Sequence, residues 1–230
     1  MPLKKTDKLT RGLENRLRFF QEIGVDDLFP VPRRAPRSEP GTPSPALDRL
    51  RDEILCCCKC GLAAGRTQAV PGEGNPRAEL LFVGEGPGRD EDAQGRPFVG
   101  RAGQLLTRII AAMTYDRSEV FIANIVKCRP PENRVPARDE VESCTPFLLR
   151  QVEIIKPRVI VTLGKTSTDF FVPGAAGGMT SIRGRFYEWK GLPVMPTFHP
   201  SYLIRNEGNR KIKQMVWDDM QMVMALLGRK

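Results

Sequence analysis

The chain has 230 residues, enough for one sizeable hydrophobic core with appendages, and its net charge of +9 favours a polyanionic partner. No apolar run approaches the roughly 20 residues that span a bilayer, and no apolar segment follows Lys4 and Lys5 as a secretory signal requires. We therefore expect no membrane association and a cytoplasmic location. In that reducing compartment, six cysteines are more often metal ligands or free thiols than disulfides.

The first 45 residues differ in composition from the rest of the chain. Apolar residues recur at helical spacing over residues 8–23, which predicts an amphipathic helix there. Six prolines between residues 30 and 45 predict an extended linker. The chain therefore divides into an N-terminal helical extension (1–29), a proline-rich linker (30–45) and a main domain (46–230).

Apolar runs and helical patterns alternate through the main domain. The pattern predicts, in chain order, a helix over 46–56, a strand over 79–84, a helix over 102–113, a strand over 119–126, a helix over 141–155, a strand over 158–163, a helix over 165–171, strands over 184–189 and 193–198, and a helix over 209–227. Such alternation is typical of an α/β domain, in which a largely parallel sheet lies between helical layers.

Two segments resemble phosphate-binding loops without meeting their requirements. The glycine-rich turn Gly84–Gly88 has the wrong spacing for a dinucleotide fingerprint, and an acidic loop follows it. Gly164–Thr166 resembles the end of a P-loop, but Val159 stands where that loop needs its first glycine. We expect neither to bind a nucleotide, and an ordinary strand-to-loop connection is the alternative interpretation of the glycine-rich turn.

Polar side chains lie at the ends of three predicted strands. Glu85 and Glu91 follow the first strand, Asn124 lies in the second, and His199, the chain's single histidine, follows the last. Open α/β sheets bind ligands at the carboxyl ends of their strands, so these groups predict one cleft. Phe98 lies in a loop nearby and would offer a stacking surface for a base. The alternatives are a structural histidine, a satisfied core amide and a core phenylalanine.

The cysteines predict a metal centre. Cys57 and Cys60 form a C-x-x-C pair, the spacing with which two thiolates bind one centre. Cys128 and Cys144 lie further along, and four thiolates suit either zinc or a [4Fe–4S] cluster. The alternative is that the thiols are buried small hydrophobes. This is reasonable for the surplus pair: Cys56 and Cys58.

Several of these segments together resemble the family 4 uracil-DNA glycosylases, the iron–sulfur type. The resemblance covers about residues 50–228 and rests on five segments in the same order: Glu85–Gly88, Gly95–Gly103, Asn124–Pro131, Ile155–Pro157 and His199–Ser201. It implies a three-layer α/β/α sandwich with a central four-stranded parallel sheet. It also implies an enzyme that flips uracil out of DNA and hydrolyses its N-glycosidic bond in base excision repair.

The resemblance further implies roles for individual residues. Phe98 would stack on the uracil, Asn124 would read its polar edge, and His199 would donate toward O2. Glu85 and Glu91 would position the attacking water. The uracil pocket would consist of Gly86, Phe98, Asn124 and His199. A structural [4Fe–4S] cluster would be bound by Cys57, Cys60, Cys128 and Cys144.

We also expect a DNA-contacting surface around the cleft. Basic residues at its rim would bind phosphates, and Tyr202–Ile204 would either fill the gap in the base stack or simply lead into the last helix. The predicted DNA contacts are Lys127, Arg129, Arg134, Ser201, Tyr202, Leu203 and Arg205, with further basic residues nearby at Arg183, Arg185 and Arg210.

The expected partner is uracil-containing DNA, double- or single-stranded, bound by a monomer whose N-terminal extension contacts a repair or replication protein. One branch of similar proteins joins DNA covalently to a histidine near the position of Asn133 and Arg134. Because His199 is the single histidine, we expect hydrolysis instead. The alternative functions are a non-catalytic iron–sulfur DNA-binding or damage-sensing protein and a redox protein.

Overall fold

Strands and helices alternate along residues 44–229, the part of the chain that the computed structural model describes. The strands are β1 (Glu73–Gly74), β2 (Leu80–Gly84), β3 (Phe121–Asn124), β4 (Val159–Leu163), β5 (Tyr187–Trp189) and β6 (Leu192–Thr197). The helices are α1 (Pro45–Leu55), α2 (Leu62–Gly65), α3 (Arg89–Gln94), α4 (Arg101–Ala112), α5 (Arg138–Ile155), α6 (Lys165–Phe171), α7 (Met179–Ile182), α8 (Pro200–Arg205) and α9 (Arg210–Leu226). The predicted α/β alternation is confirmed.

The strands form a six-stranded sheet in the order β1-β3-β2-β4-β6-β5. Its four central strands, β3, β2, β4 and β6, are parallel, as predicted. The prediction of a four-stranded sheet is corrected at the edges, where β1 pairs antiparallel with β3 and β5 pairs antiparallel with β6. β5 lies within the strand predicted over 184–189, whereas β1, at two residues, is too short to give a periodic signal.

Helices cover both faces of the sheet. Because side chains alternate along a strand, Leu80 and Phe82 of β2 face one core, which they share with α4 and α9. Leu81 and Val83 face a second core, which they share with α1 and α5. The domain is therefore a three-layer α/β/α sandwich. No helix within residues 44–229 is both long and apolar enough to cross a membrane.

The first described helix begins inside the predicted linker. The side chain of Ser44 accepts a hydrogen bond from the backbone N–H of Leu47, and Pro45 occupies the first helical turn. A hydroxyl at the N-cap followed by proline is a favourable helix start, so α1 begins at Pro45 rather than Ala46. The helix predicted over 8–23, the extension over 1–29 and most of the linker lie outside the described residues.

The strand order creates a crevice at one edge of the sheet. The chain leaves β2 toward β3 on one side, and it leaves β4 toward β6 on the other. Open parallel sheets bind ligands at such a switch point, outside the carboxyl ends of the strands. The loops after β2, β3, β4 and β6 all reach this edge, and they form the cavity described next.

Candidate active site

A cavity of about 480 Å³ opens at the carboxyl ends of the four parallel strands. This volume falls within the range of small-molecule sites, about 300–1,000 Å³. The cavity brings together every residue predicted to be catalytic or to bind uracil: Glu85, Gly86, Glu91, Phe98, Asn124 and His199. Three of the predicted DNA contacts also line it: Arg134, Ser201 and Arg205.

Asn124, the last residue of β3, is 1% exposed. Its Oδ1 atom is buried and has no hydrogen-bond partner within the described chain. Gly84, opposite it at the end of β2, leaves space for the amide, since a Cβ at position 84 would lie 2.5 Å from Asn124 Oδ1. A residue that lines the cavity thus carries a buried acceptor without a partner among the described residues.

Phe98 forms one wall of the cavity in a backbone conformation that aromatic residues rarely adopt, with φ of 50°. Its ring centroid lies 5.7 Å from that of His199. Gly103 of α4 permits this arrangement, because a Cβ at position 103 would lie 1.9 Å from the carbonyl carbon and oxygen of Phe98. The two rings together give the cavity an aromatic lining.

The carboxylate of Glu91 is bound to three backbone N–H groups. Oε1 accepts from Val99 at 2.8 Å and from Gly100 at 2.9 Å, and Oε2 accepts from Gly88 at 3.1 Å. These bonds tie the glycine-rich turn to the loop that carries Phe98. The structure therefore gives Glu91 a loop-positioning contact that the sequence analysis did not predict.

Glu85 directly follows β2 and lines the same cavity. Its Oε2 atom accepts a hydrogen bond from the hydroxyl of Thr166, on the first turn of α6. Next to this contact, Gly164 has φ of +92°, and a Cβ there would lie 3.1 Å from the Cβ of His199. The segment Gly164–Thr166, which resembled a P-loop, thus contributes to the cavity in two ways. Gly164 lets the backbone lie close to His199, and Thr166 donates a hydrogen bond to Glu85.

His199 is the N-cap residue of α8, and its surroundings favour the neutral imidazole. Its pKa is lowered to about 4, chiefly by burial and also by the positive charge of Arg205, while the negative charge of Glu91 opposes the shift. Nδ1 accepts the backbone N–H of Ser201 at 3.1 Å. Because Nδ1 is an acceptor, we assign the proton to Nε2, which leaves His199 an N–H donor.

Several relatives of the chain carry the same name. Residues 71–221 match the family model described as the uracil DNA glycosylase superfamily. The type-4 uracil-DNA glycosylase of Sulfurisphaera tokodaii is 47% identical over 73% of this chain and 80% of that protein. Those of Thermotoga maritima and Archaeoglobus fulgidus are 45% and 41% identical over 80% of this chain and 96% and 95% of the respective relative. The chain belongs to the type-4 uracil-DNA glycosylase family. The resemblance inferred from the motifs is thereby confirmed.

In this member of the type-4 family, four of the six cysteines line one small cavity on the α1–α5 side of the sheet. Cys57 and Cys60 follow α1, Cys128 lies four residues after the end of β3, and Cys144 is in α5. The two surplus cysteines, Cys56 and Cys58, are exposed. Distant parts of the chain thus bring the predicted four thiols together.

The surroundings of these thiols suit anionic sulfur. Arg66 Nη1 lies 3.1 Å from Cys128 Sγ, and the backbone N–H of Lys127 lies 3.2 Å from Cys144 Sγ. As free thiols, Cys128 and Cys144 resist ionisation, since burial raises the pKa of Cys144 to about 11 and also raises the pKa of Cys128. A bound metal would supply the charge that favours the thiolates.

The spacing of the cysteines bears on the kind of metal centre. Between residues 44 and 229, no three histidine, cysteine, aspartate or glutamate side chains are placed to hold one metal ion. In a [4Fe–4S] cluster each thiolate binds a different iron, so four cysteines around a common cavity are the matching ligand set. These four residues are therefore candidate ligands of a metal centre.

Two of the predicted DNA contacts are buried and are corrected here. Lys127 is 1% exposed, and its Nζ donates to the Asn124 carbonyl at 2.9 Å and to Gln151 Oε1 at 2.7 Å. Leu203 is 3% exposed and packs in the core shared with α9. Neither side chain can reach a phosphate or enter a base stack. Tyr202, beside Leu203, stacks on Phe198 with ring centroids 4.9 Å apart.

The basic rim also differs from the prediction. Arg183 is not at the rim: it donates to the buried carboxylate of Asp219 and to the Met215 carbonyl. Conversely, two arginines that the sequence analysis missed, Arg89 and Arg101, line a second cavity beside the first, together with Arg129. Arg89 and Arg101 each directly follow a glycine of the active-site turns. That position is the feature of the sequence from which they could have been predicted.

Proposed function

We propose that the protein is a uracil-DNA glycosylase that hydrolyses the N-glycosidic bond of uracil flipped out of DNA, releasing uracil and leaving an abasic site. The observation that carries the proposal is the buried Oδ1 of Asn124, which has no partner within the described residues and lies in the same cavity as Phe98. A buried unpaired acceptor is unfavourable by about 1–3 kcal/mol. The N3–H of uracil is a donor that would satisfy it.

Asn124 separates uracil from cytosine by the polarity of one base edge. Its Oδ1 accepts the N3–H of uracil, and its Nδ2 donates to O4. Cytosine presents an unprotonated N3 and an amino group at the same positions, so acceptor would face acceptor and donor would face donor. A buried site rejects such a mismatch because its polar groups are left unpaired.

Phe98 compensates for removal of the base from the duplex. A stacked base is out of reach of the enzyme, so the nucleotide must rotate into the pocket and lose its stacking. Contact with an aromatic ring recovers about 1–3 kcal/mol per base. The nearby ring of His199 narrows the same pocket, which suits a planar ligand.

His199 stabilises the leaving group as a neutral hydrogen-bond donor. When the N-glycosidic bond breaks, its electron pair passes to uracil, which leaves as an anion with charge on O2. The Nε2–H of His199 donates to that oxygen. One preorganised donor of this kind is typically worth about 2.7–4 kcal/mol. Because the pKa of His199 is about 4, the ring is uncharged at neutral pH, and its one proton lies on Nε2, since Nδ1 accepts from Ser201.

Glu85 is the candidate carboxylate for the sugar. As uracil departs, the sugar becomes oxocarbenium-like, and a carboxylate stabilises that charge and orients the water that attacks C1′. Glu91 already accepts three backbone N–H groups, whereas Thr166 is the one donor recorded for Glu85 among the described residues. Glu85 is therefore the carboxylate that orients the water, and Glu91 positions the loop that carries Phe98.

Arginines around the two cavities bind the DNA backbone. Arg129, Arg134 and Arg205 from the sequence analysis are joined by Arg89 and Arg101. Phosphate contacts give affinity without sequence information, which suits an enzyme that must act at uracil in any context. Such contacts also make the affinity fall as salt rises.

The four cysteines Cys57, Cys60, Cys128 and Cys144 hold a structural [4Fe–4S] cluster. The cluster would supply iron–thiolate bonds, and the residues that would hold it come from the segment after α1, the segment after β3 and α5. Because the segment after β3 leads from Asn124 to Arg129, the four cysteines would hold the base-reading amide and the DNA-facing loop in place. The enzyme in this proposal is monomeric and cytoplasmic, and its N-terminal extension binds a repair partner.

The test is excision from a labelled oligonucleotide that contains one uracil, with protein purified without oxygen. We expect alkali-sensitive strand cleavage at uracil and release of the free base, with no cleavage of a control oligonucleotide that carries cytosine at that position. Protein that binds the oligonucleotide but releases no uracil would overturn the proposal and favour a DNA-binding or damage-sensing role.

A further inference from the structure

The strained backbone of Phe98 requires support from both sides. Its φ of 50° is in the left-handed region, which a bulky residue adopts only when its surroundings hold it there. Two peptide planes meet at Phe98, and their orientations define its φ and ψ angles. Groups that fix both planes therefore fix where the aromatic ring lies.

Glu91 and Gly103 hold the peptide that follows Phe98. Glu91 Oε1 accepts the N–H of Val99, which belongs to that peptide. Gly103 lets α4 approach the carbonyl of Phe98, as described above. These contacts account for one plane only, and the preceding peptide needs a separate contact.

Arg117 supplies that contact from outside the cavity. Its Nη2 donates to the carbonyl oxygen of Pro97, which lies in the same peptide plane as the N–H of Phe98. Its Nη1 donates to Thr107 Oγ1 at 3.1 Å, and its Nε donates to Glu73 Oε1 at 2.8 Å. The side chain is 18% exposed, so the guanidinium is held in a largely desolvated setting.

Glu73 orients this guanidinium. The carboxylate lies on the edge strand β1, and it also accepts from Arg96 Nε at 2.8 Å, on the residue just before Pro97. Burial opposes ionisation of Glu73, but hydrogen bonds from Arg96 and Arg117 outweigh burial and lower its pKa. One charged carboxylate thus links the sheet edge to both ends of the short Arg96–Pro97 segment.

We propose that Arg117, oriented by Glu73, is a positioning residue that fixes the ring of Phe98 for stacking on uracil. This inference rests on the proposed function of the cavity. Arg117 itself does not line the cavity, so its effect on uracil passes through the Pro97–Phe98 peptide. A planar guanidinium suits the task because its fork of donors fixes direction as well as distance.

The test is a double-mutant cycle with Arg117→Ala and Phe98→Ala. For each variant, the measured quantity is the constant with which free uracil inhibits excision. An inhibition constant does not depend on the fraction of active enzyme, so general destabilisation does not change it. We expect Phe98→Ala to raise the constant about tenfold, which corresponds to loss of one base–aromatic stack. Arg117→Ala should raise it about threefold or more, and the double variant should equal Phe98→Ala alone.

Two further variants keep the test decisive. Arg158→Ala removes another arginine–glutamate pair, with Glu79 at 3.1 Å, that has no contact with the Phe98 loop, and uracil inhibition should not change. Glu73→Gln should also raise the inhibition constant, by a smaller factor than Arg117→Ala. If Arg117→Ala does not fold, Glu73→Gln provides the test in its place.

Three outcomes would contradict the inference. Unchanged uracil inhibition in the folded Arg117 variant, or in Glu73→Gln where Arg117→Ala does not fold, would overturn it. So would effects of the Arg117 and Phe98 substitutions that multiply in the double variant. If the unaltered protein releases no uracil, the proposed function fails first and this inference fails with it.

Discussion

The hydroxyl of Thr166 donates a hydrogen bond to Oε2 of Glu85, so the segment after β4 orients the carboxylate that follows β2. This contact crosses the switch point of the sheet, where the two strands are neighbours. A carboxylate that stabilises a developing positive charge and orients water must be held in one direction. Among the described residues, Thr166 supplies the hydroxyl that holds the Glu85 carboxylate in one direction.

We therefore expect Thr166→Val to slow uracil excision about 10- to 100-fold, since a hydrogen bond to a charged group contributes about 1.5–3 kcal/mol. Valine keeps the size of threonine and removes only the hydroxyl. Single-turnover excision at saturating enzyme would measure the change. Thr166→Ser restores the hydroxyl and should recover most of the rate, and a serine variant as slow as the valine variant would contradict this role.

Asn124→Ala should reduce excision about 100-fold or more, because both hydrogen bonds that read uracil are lost in a buried setting. Affinity for a duplex that contains an abasic site should stay nearly constant, since that product offers no base to Asn124. Gel-shift titration beside the excision assay separates the two effects. A parallel loss of affinity for the abasic duplex would show that Asn124 shapes the DNA surface instead.

Sequence reasoning located the cavity because parallel strands place their carboxyl ends at one edge. Glu85, Asn124 and His199 are far apart in the chain, yet each lies at or just after the end of a parallel strand. The four cysteines predicted as ligands likewise line one cavity. The position of a residue relative to a predicted strand and the spacing of cysteines are both read from the sequence itself. Neither requires knowledge of tertiary contacts.

What the sequence did not predict depends on distant partners. Nothing local distinguishes Lys127 from a surface lysine, because its burial is set by Gln151 of α5, which accepts from its Nζ. Leu203 was predicted to contact DNA, and its burial follows from the packing of α8 against the core, which its sequence neighbours do not indicate. The Arg117 contact to Pro97 spans 20 residues and has no motif of its own.

The pKa of His199 predicts a dependence of stability on pH. In the folded protein this pKa is about 4, below its ordinary value of 6.5, so between these values the unfolded chain binds the proton more readily. Stability from this group is therefore fully present above about pH 6.5 and is lost as pH falls toward 4, by up to about 3 kcal/mol.

Urea unfolding of the unaltered protein and of His199→Gln between pH 4.5 and 7.5 would measure this contribution. The glutamine variant should show a shallower loss of unfolding free energy on acidification, because other titrating groups are common to both proteins. Equal slopes would mean that His199 titrates at its ordinary pKa. Excision by the unaltered protein should show no inflection from His199 between pH 5 and about 8.

Gly103→Ala should displace Phe98, because the new Cβ would lie 1.9 Å from the carbonyl carbon and oxygen of that residue. In an open helix, alanine would instead stabilise by about 0.5–1 kcal/mol. We expect a loss of about 1–3 kcal/mol in unfolding free energy from overpacking, together with slower excision. Gly208→Ala, where a new Cβ meets no atom within 4 Å, is the control and should alter neither.

Removal of single cysteines should separate the four inward thiols from the two exposed ones. Cys128→Ser and Cys144→Ser should lose the visible absorbance of the cluster, bind fewer than about four irons per chain, and unfold more readily. Cys56→Ser and Cys58→Ser should keep full iron content, since both side chains are exposed. Iron analysis and thermal unfolding of proteins purified without oxygen would measure both effects. Loss of iron in the Cys56 or Cys58 variant, with retention in Cys144→Ser, would reassign the ligands and remove the proposed brace between α5 and the Asn124 segment.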